Sequence, residues 1–429
     1  MMVDAVSLVS NSGIEIGRLF GSYPIAIQRQ LAQLFDVVLS TIPKNKIYSI
    51  IMLGSTPRGE LSFKIQGGDV DIFSDYEFVI VYKTPFSPAE LESLDKRLSE
   101  LVGGWAVRSP LFHVDYGVAS KAKFRITPPT FWTFEVKKTA ALIYGQDARK
   151  LLPAVTISNL DKGVLNELIL VRLWNMLLCI NEGFIRRDET DYERFTVNIS
   201  YARNALDILS ILLPHEGVLL ASYESRAAYF AEHDHADDWG QYKSRFAAAN
   251  RFKLNNYDEA FAKGEFQSLF LDGFTKLLFA LSGEPNPDPL NIRRIDFDKI
   301  FSEKMVRKLR RKYMDFRLFA TYYNMSIGKL STLWKDSLRP KLVATLLYMH
   351  YSLDIRLDGE KQIDFLKAAF YQFGTISNEK SINWSDDESF VDNWNRLRRK
   401  ILDMMVVWFY GRSRESVVRL ERLMDWRDR

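Results

Sequence analysis

The chain has 429 residues, 47% of them hydrophobic, with 29 Phe, 19 Tyr and 9 Trp, which excludes a disordered chain and suits two or three packed units with sizeable cores. Its 58 basic residues nearly balance 54 acidic ones for a net charge of +4, so bulk charge does not select a nucleic-acid partner. The single cysteine, Cys179, lies in the apolar run Leu173 to Ile180; it excludes a disulfide framework or thiolate cluster and reads as a buried thiol.

The opening MMVDAVSLVSNSG lacks a basic flank ahead of a long apolar stretch, and no run of 18 apolar residues follows. The expectation is a soluble cytoplasmic protein with no membrane span. A helical pattern covers Pro24 to Ser40, and another covers Pro88 to Leu101, where Ser87 precedes Pro88 as an N-cap before a first-turn proline. Between and after them, IYSIIML (47–53), YEFVIVYK (76–83), LFHVDYGVA (111–119) and FRI (124–126) read as strands. Residues 1–155 are thus expected to form an α/β or α+β unit with a mixed sheet.

From Asp161 the period becomes helical, as in VLNELILVRLWNMLLCINEGF and FQSLFLDGFTKLLFALSG. Residues 156–284 are expected to form a helical domain lining a cleft with the first unit. GEPNPDPL (283–290) holds three prolines in five positions and cannot continue a helix; a boundary is placed there, before a C-terminal helical domain at 290–429. NEKSINWSDDES (378–389) reads as an exposed loop, and Trp174, Trp334, Trp394 and Trp408 read as core.

Chemistry concentrates in IIMLGSTPRGELSFKIQGGDVDIFSDYEFVIVYK, residues 50–83. An apolar strand ends at Gly54-Ser55, a turn-rich loop follows, and a second strand begins at Asp75-Tyr76-Glu77-Phe78. Strand residues two apart share a face, so Asp75 and Glu77 stand roughly 7 Å apart at the backbone, within joint reach of a cation. Phosphoryl transfer requires hard oxygen ligands of this kind, because Mg²⁺ neutralises the charge of the transferred and leaving groups. Asp115, alternating with apolar neighbours in LFHVDYGVA, offers a third carboxylate for a second metal or for taking a hydroxyl proton. His113 reads as a structural or substrate-facing neighbour of that carboxylate. Gly54-Ser55 supplies backbone N–H groups that can approach a triphosphate. Gly54 to Gly59 does not continue as a P-loop, since Glu60-Leu61 stands where Lys-Ser/Thr is required.

The segment resembles the DNA polymerase beta-type nucleotidyltransferase superfamily, whose signature reads here as Leu53, Gly54, Ser55, then Asp75, Tyr76, Glu77, Phe78, with Asp115 at the third carboxylate. The resemblance covers about the first 150 residues. It extends weakly to Phe134-Glu135 and Tyr144-Gly145-Gln146-Asp147, as in proteins resembling aminoglycoside nucleotidyltransferases. It implies a polymerase-beta-like catalytic domain followed by an all-α region. The implied reaction is Mg²⁺-dependent transfer of a nucleoside monophosphate from an NTP to a hydroxyl, with release of pyrophosphate. Mn²⁺ is an alternative metal.

On this reading Asp75, Glu77 and Asp115 are catalytic and metal-holding, while Gly54, Ser55, Arg58 and Arg203 bind the nucleotide. Tyr201 and Asn204 flank that Arg203. The spacer from Ser55 to Asp75 is 19 residues, longer than the commonest pattern, and Asp69-Val70-Asp71 is a second candidate pair. Asp75/Glu77 is preferred because a full β run follows it, which leaves Asp69 and Asp71 in a loop over the site. Arg58 and Glu60 contact phosphate, order the loop, or are simply solvated.

The acceptor is open: a small hydroxylated molecule is favoured by the modest charge, with a protein hydroxyl, a tRNA end or a second nucleotide as alternatives. The competing class is an inactive nucleotidyltransferase-like scaffold that binds nucleic acid or protein through the basic run Arg307-Lys308-Leu309-Arg310-Arg311-Lys312. With acidic residues interspersed nearby, that run reads more simply as a solvated helix face.

Overall fold

The computed structural model describes residues 8–66, 69–235, 239–255, 257, 264–285, 287–301, 338–377, 383–410 and 426. The basic run at 307–312 and Trp334 lie outside these residues, as does the side chain of Trp408. Within them an α+β unit carrying a mixed sheet precedes an all-helical region.

The sheet has the order β5-β4-β1-β6, formed by β1 (Ile47–Leu53), β4 (Asp75–Tyr82), β5 (His113–Ser120) and β6 (Ala141–Gly145). β1 runs antiparallel to β4 and β6, whereas β4 and β5 are parallel. A parallel pair needs a long crossover, and α3 (Pro88–Gly103) provides it, opened by a capping box between Ser87 and Glu90. All seven residues of β1 are buried, as expected of a strand covered on both faces.

Ile50, Met52, Tyr76, Phe78 and Ile80 face the layer of α1 (Ile16–Phe20), α2 (Ile25–Thr41) and α3, with the Phe35 and Phe78 rings edge-to-face at 5.8 Å. Ile51, Leu53, Val79 and Val81 face the opposite layer, built from α4 (Lys121–Arg125), α5 (Phe131–Thr139) and the turn at Ala148–Leu151. Period two therefore assigns Asp75, Glu77, His113 and Asp115 to that second face.

Two local expectations are corrected. FRI (124–126) is the end of α4 rather than a strand: Ser120 caps that helix by accepting from the Lys123 N–H, and Pro128-Pro129 stop it. Asp69 and Asp71 are not in a loop either; they lie on β3 (Asp69–Ile72), which pairs antiparallel with β2 (Phe63–Gln66).

The helical region packs around α8 (Asp191–His215), most of whose residues are buried. It contacts α6 (Lys162–Cys179), the short α7 (Glu182–Arg186), α9 (Tyr223–Glu232), α10 (Lys243–Lys253) and α11 (Glu265–Ser282). The same hydrophobic cluster continues past Pro289 into the helices Leu338–Tyr351, Gly359–Ser377 and Phe390–Tyr410, and includes Trp174 and Trp394. Cys179 is buried in it, and its carbonyl accepts from the Trp426 indole. No helix among the described residues is long and apolar enough to cross a membrane.

One buried histidine ties this core together and sets an acid limit. His350 is 0% exposed, bonds the Leu173 carbonyl through Nε2 at 2.9 Å and leaves Nδ1 without a partner. Burial pulls its pKa down to about 4, against the Leu173 hydrogen bond. The native state thus holds the ring neutral while the unfolded chain takes up a proton, so stability is lost as pH falls from about 6.5 towards 4. The contribution is on the order of 3 kcal/mol at most. Urea unfolding of His350→Leu is expected to show a pH slope shallower than wild type across that window, and identical slopes would refute the assignment.

Candidate active site

Parallel pairing of β4 with β5 places Asp75 opposite His113 and Glu77 opposite Asp115. Beyond the cover of α5 the two strands thus present three carboxylates and an imidazole on one face. His113 Nε2 lies 3.0 Å from Asp115 Oδ2 and 3.6 Å from Asp75 Oδ2. Ligand atoms of Asp75, His113 and Asp115 all fall within 4.8 Å of one another.

Glu77 sits one pleat further along β4. Burial first, then Asp75 and Asp115, push its carboxyl up to about 8, with Arg58 pulling the other way. Such crowding of like charge is what a divalent cation relieves, and the donors are the oxygen and imidazole types that divalent cations accept. The residues fit a metal.

Across the antiparallel partner, Leu53 stands opposite Glu77, so β1 delivers Gly54 and Ser55 beside the acids. Gly54 has φ 72°, and a Cβ there would meet Glu77 Oε2 at 3.2 Å. The following turn, Thr56–Arg58, closes on Gly59 at φ 75°. It is held by the Tyr23 hydroxyl, which donates to the Thr56 carbonyl at 2.8 Å and accepts from the Leu61 N–H. Ser55 Oγ lies 3.0 Å from Ser74 Oγ, joining the loop to the start of β4. Gly54→Ala would force an alanine into the left-handed region at a cost of about 1–2 kcal/mol and press on Glu77. Chemical denaturation should show that loss.

The helical region supplies an opposing cationic wall to a cavity of about 250 Å³, whose lining includes Gly54, Ser55, Asp75 and Glu77. Arg203 of α8 donates to Asp75 Oδ2 at 3.3 Å. Burial works against its charge, but Asp75, Tyr223 and Asp207 hold its pKa above the ordinary range. Arg172 of α6 pairs with Asp207, which also accepts from the Tyr223 and Ser210 hydroxyls.

Lys253, the last residue of α10, is 1% exposed and donates to the Glu60 carbonyl at 2.5 Å. Burial pulls its ammonium down to about 7, with Arg203 and Arg58 adding to the fall and Glu60 resisting it. Arg58 donates to Glu60 at 2.7 Å, lies 3.8 Å from Glu135 and sits over the Tyr223 ring. Glu60 also accepts from the Glu224 N–H, so it orders the loop and docks it on α9. The remaining wall is apolar and aromatic, with Phe131 and Trp132 of α5 and Leu165 and Leu168 of α6.

Other candidate residues point elsewhere. Asp71 is buried and accepts from the Arg108 and Ser109 N–H groups and from the Tyr192 hydroxyl; like Asp115 and His113 it is not part of the cavity lining, but unlike them it is not clustered with Asp75. Tyr201 packs against Phe270, and Asn204 donates to the Ser200 carbonyl; neither faces the cavity. Arg172, Asp207, Tyr223 and Lys253 carry no motif, and in the sequence they are indistinguishable from ordinary helix-face residues. The only hint for Lys253 is its place at a helix end among Phe252 and Leu254.

No family model and no curated protein matches the chain. Among solved structures it is similar to spectinomycin adenyltransferase AAD(9) from Enterococcus faecialis, determined with ATP and spectinomycin, at 14% identity and a TM-score of 0.35. That likeness covers 58% of this chain and 98% of the other, and at that level it carries no inference about the site.

Proposed function

We propose that the protein is a metal-dependent nucleotidyltransferase that moves a nucleoside monophosphate from an NTP to a hydroxyl, releasing pyrophosphate. The observation that carries this reading is one cavity lined by the β4 carboxylates Asp75 and Glu77 together with Arg58, Arg203 and Lys253, with Asp115 of the parallel neighbour β5 paired to Glu77 beside it. Phosphoryl transfer asks for that pairing of a metal-holding acidic edge and a cationic cradle, because its catalysis is mainly positioning and charge stabilisation.

Asp75 and Asp115 would hold Mg²⁺ or Mn²⁺, with Glu77 beside them, and the bound cation supplies charge neutralisation at the transferred phosphoryl group. Gly54 and Ser55 line the cavity next to the acids, where their backbone N–H groups would meet the triphosphate. The acceptor oxygen forms its bond to the α-phosphorus as the bond to the bridging β-oxygen breaks, and the hydroxyl proton passes to Asp115. Pyrophosphate leaves towards Arg203 and Lys253. Of the acceptors considered, a small molecule suits a cavity of about 250 Å³.

The test is incubation of the wild-type protein with each α-labelled NTP, Mg²⁺ or Mn²⁺, and a cell extract as acceptor source. Label transfer with matching pyrophosphate release, both abolished by chelation, is the expected result. No transfer with any NTP under either metal would overturn the reading.

A further inference from the structure

His113 is 3% exposed and its ring is gripped at both nitrogens: Nδ1 lies 3.0 Å from the Leu111 carbonyl oxygen, and Nε2 faces Asp115 and Asp75. A carbonyl oxygen only accepts, so the Leu111 contact is made by an Nδ1–H donor and leaves Nε2 directed at the two carboxylates. One ligand atom from each of His113, Asp75 and Asp115 lies within 4.8 Å of the others, the span that a single cation can bridge.

The ring's Nδ1–H bond to a backbone carbonyl is the support that metal-bound imidazoles regularly have. Two ligands about 2.1 Å from one cation at right or tetrahedral angles stand roughly 3.0–3.4 Å apart. The Nε2 separation from Asp115, 3.0 Å, falls in that range, and the one from Asp75, 3.6 Å, lies just beyond it.

We propose that His113 is a metal ligand, completing with Asp75 and Asp115 a mixed nitrogen and oxygen site that favours first-row transition divalents over Mg²⁺. This rests on the reading of Asp75 and Asp115 as cation ligands. Mg²⁺ holds water and carboxylate oxygen and gains little from an imidazole, whereas affinity of nitrogen-containing sites rises from Mn²⁺ along the transition series. Mn²⁺, the weakest of that series, is therefore a stringent probe. His113 adjoins Asp75 in the β4–β5 register, so the selecting ligand is built into the same strand pair that supplies the carboxylates.

The test is electron spin-echo spectroscopy of the Mn²⁺-loaded wild-type protein, which reads nitrogen bound to the metal without any turnover. A ¹⁴N coupling is expected, converting to the ¹⁵N pattern when histidine alone is ¹⁵N-labelled. The labelled wild type keeps the test independent of whether a variant folds. Assignment is direct, since His215, His233, His235 and His350 bond elsewhere. Calorimetry should show Mn²⁺ binding at least about tenfold tighter than Mg²⁺, and His113→Gln should erase about tenfold of that preference. Mn²⁺ bound without nitrogen coupling overturns this inference and leaves metal-dependent transfer standing. No Mn²⁺ binding at millimolar concentration overturns both.

Discussion

Asp75→Asn is expected to lower nucleotidyl transfer by about 10³-fold or more while leaving the protein folded. The substitution keeps shape and removes one charge from the point where Arg203 and His113 both converge on Oδ2. An amide cannot hold a divalent cation as a carboxylate does, so phosphoryl charge in the transition state is left to the cationic wall alone. Asp71→Asn makes the opposite forecast. That carboxylate takes hydrogen bonds from two backbone N–H groups and a tyrosine hydroxyl; an amide nitrogen turned towards any of these donors costs about 1–3 kcal/mol of stability. Transfer per folded molecule should persist. Rates from label transfer, normalised to the folded fraction by circular dichroism, compare the two. Loss of activity in a fully folded Asp71→Asn, with Asp75→Asn active, would reverse the choice of acidic pair.

The contrast between those two aspartates also marks how far sequence reasoning reaches. β1 and β4 are legible because their apolar runs are long and bounded, and period two then places Asp75 and Glu77 on one face and beside Gly54. Asp115 follows from the same alternation in LFHVDYGVA. FRI is not legible: three apolar and basic residues suit either geometry, and the deciding Ser120 cap and Pro128-Pro129 stop lie outside it. Asp69-Val70-Asp71 looks like a loop because Gly67 and Gly68 precede it in the sequence and a polar break follows, yet strand pairing with Phe63–Gln66 turns Asp71 inward. The cationic wall is hidden for a different reason. Arg172, Arg203 and Lys253 come from three helices, and only tertiary packing around α8 aims them at one cavity. His113 was visible as a residue but not as a ligand, because its role depends on the Leu111 carbonyl fixing one nitrogen and leaving the other towards the carboxylates.

Glu77→Gln should produce the clearest coupling between charge and stability in the metal-free protein. The Glu77 carboxyl, pushed up to about 8 by burial, Asp75 and Asp115, keeps its proton in the native state through a range where the unfolded chain has released it. The native state therefore binds more protons between pH 4.5 and 8, and stability falls as pH rises through that window. Each pH unit removes up to about 1.4 kcal/mol. Since the side chain is only half-buried, screening reduces the total to about 2–4 kcal/mol. Glutamine is neutral throughout, so the wild-type minus variant stability, from urea unfolding in chelator, should decline across that window and level off above pH 8.

A divalent cation should flatten the same curve by stabilising the charged carboxylates, and most strongly at the alkaline end. Transfer by Glu77→Gln should meanwhile fall about 10²-fold or more. The charge that costs stability without a cation is then the charge that a bound cation would draw on. A flat difference curve would mean that the Glu77 carboxyl is solvated and not forced against its neighbours, and it would remove the electrostatic reason for a cation at this end of β4.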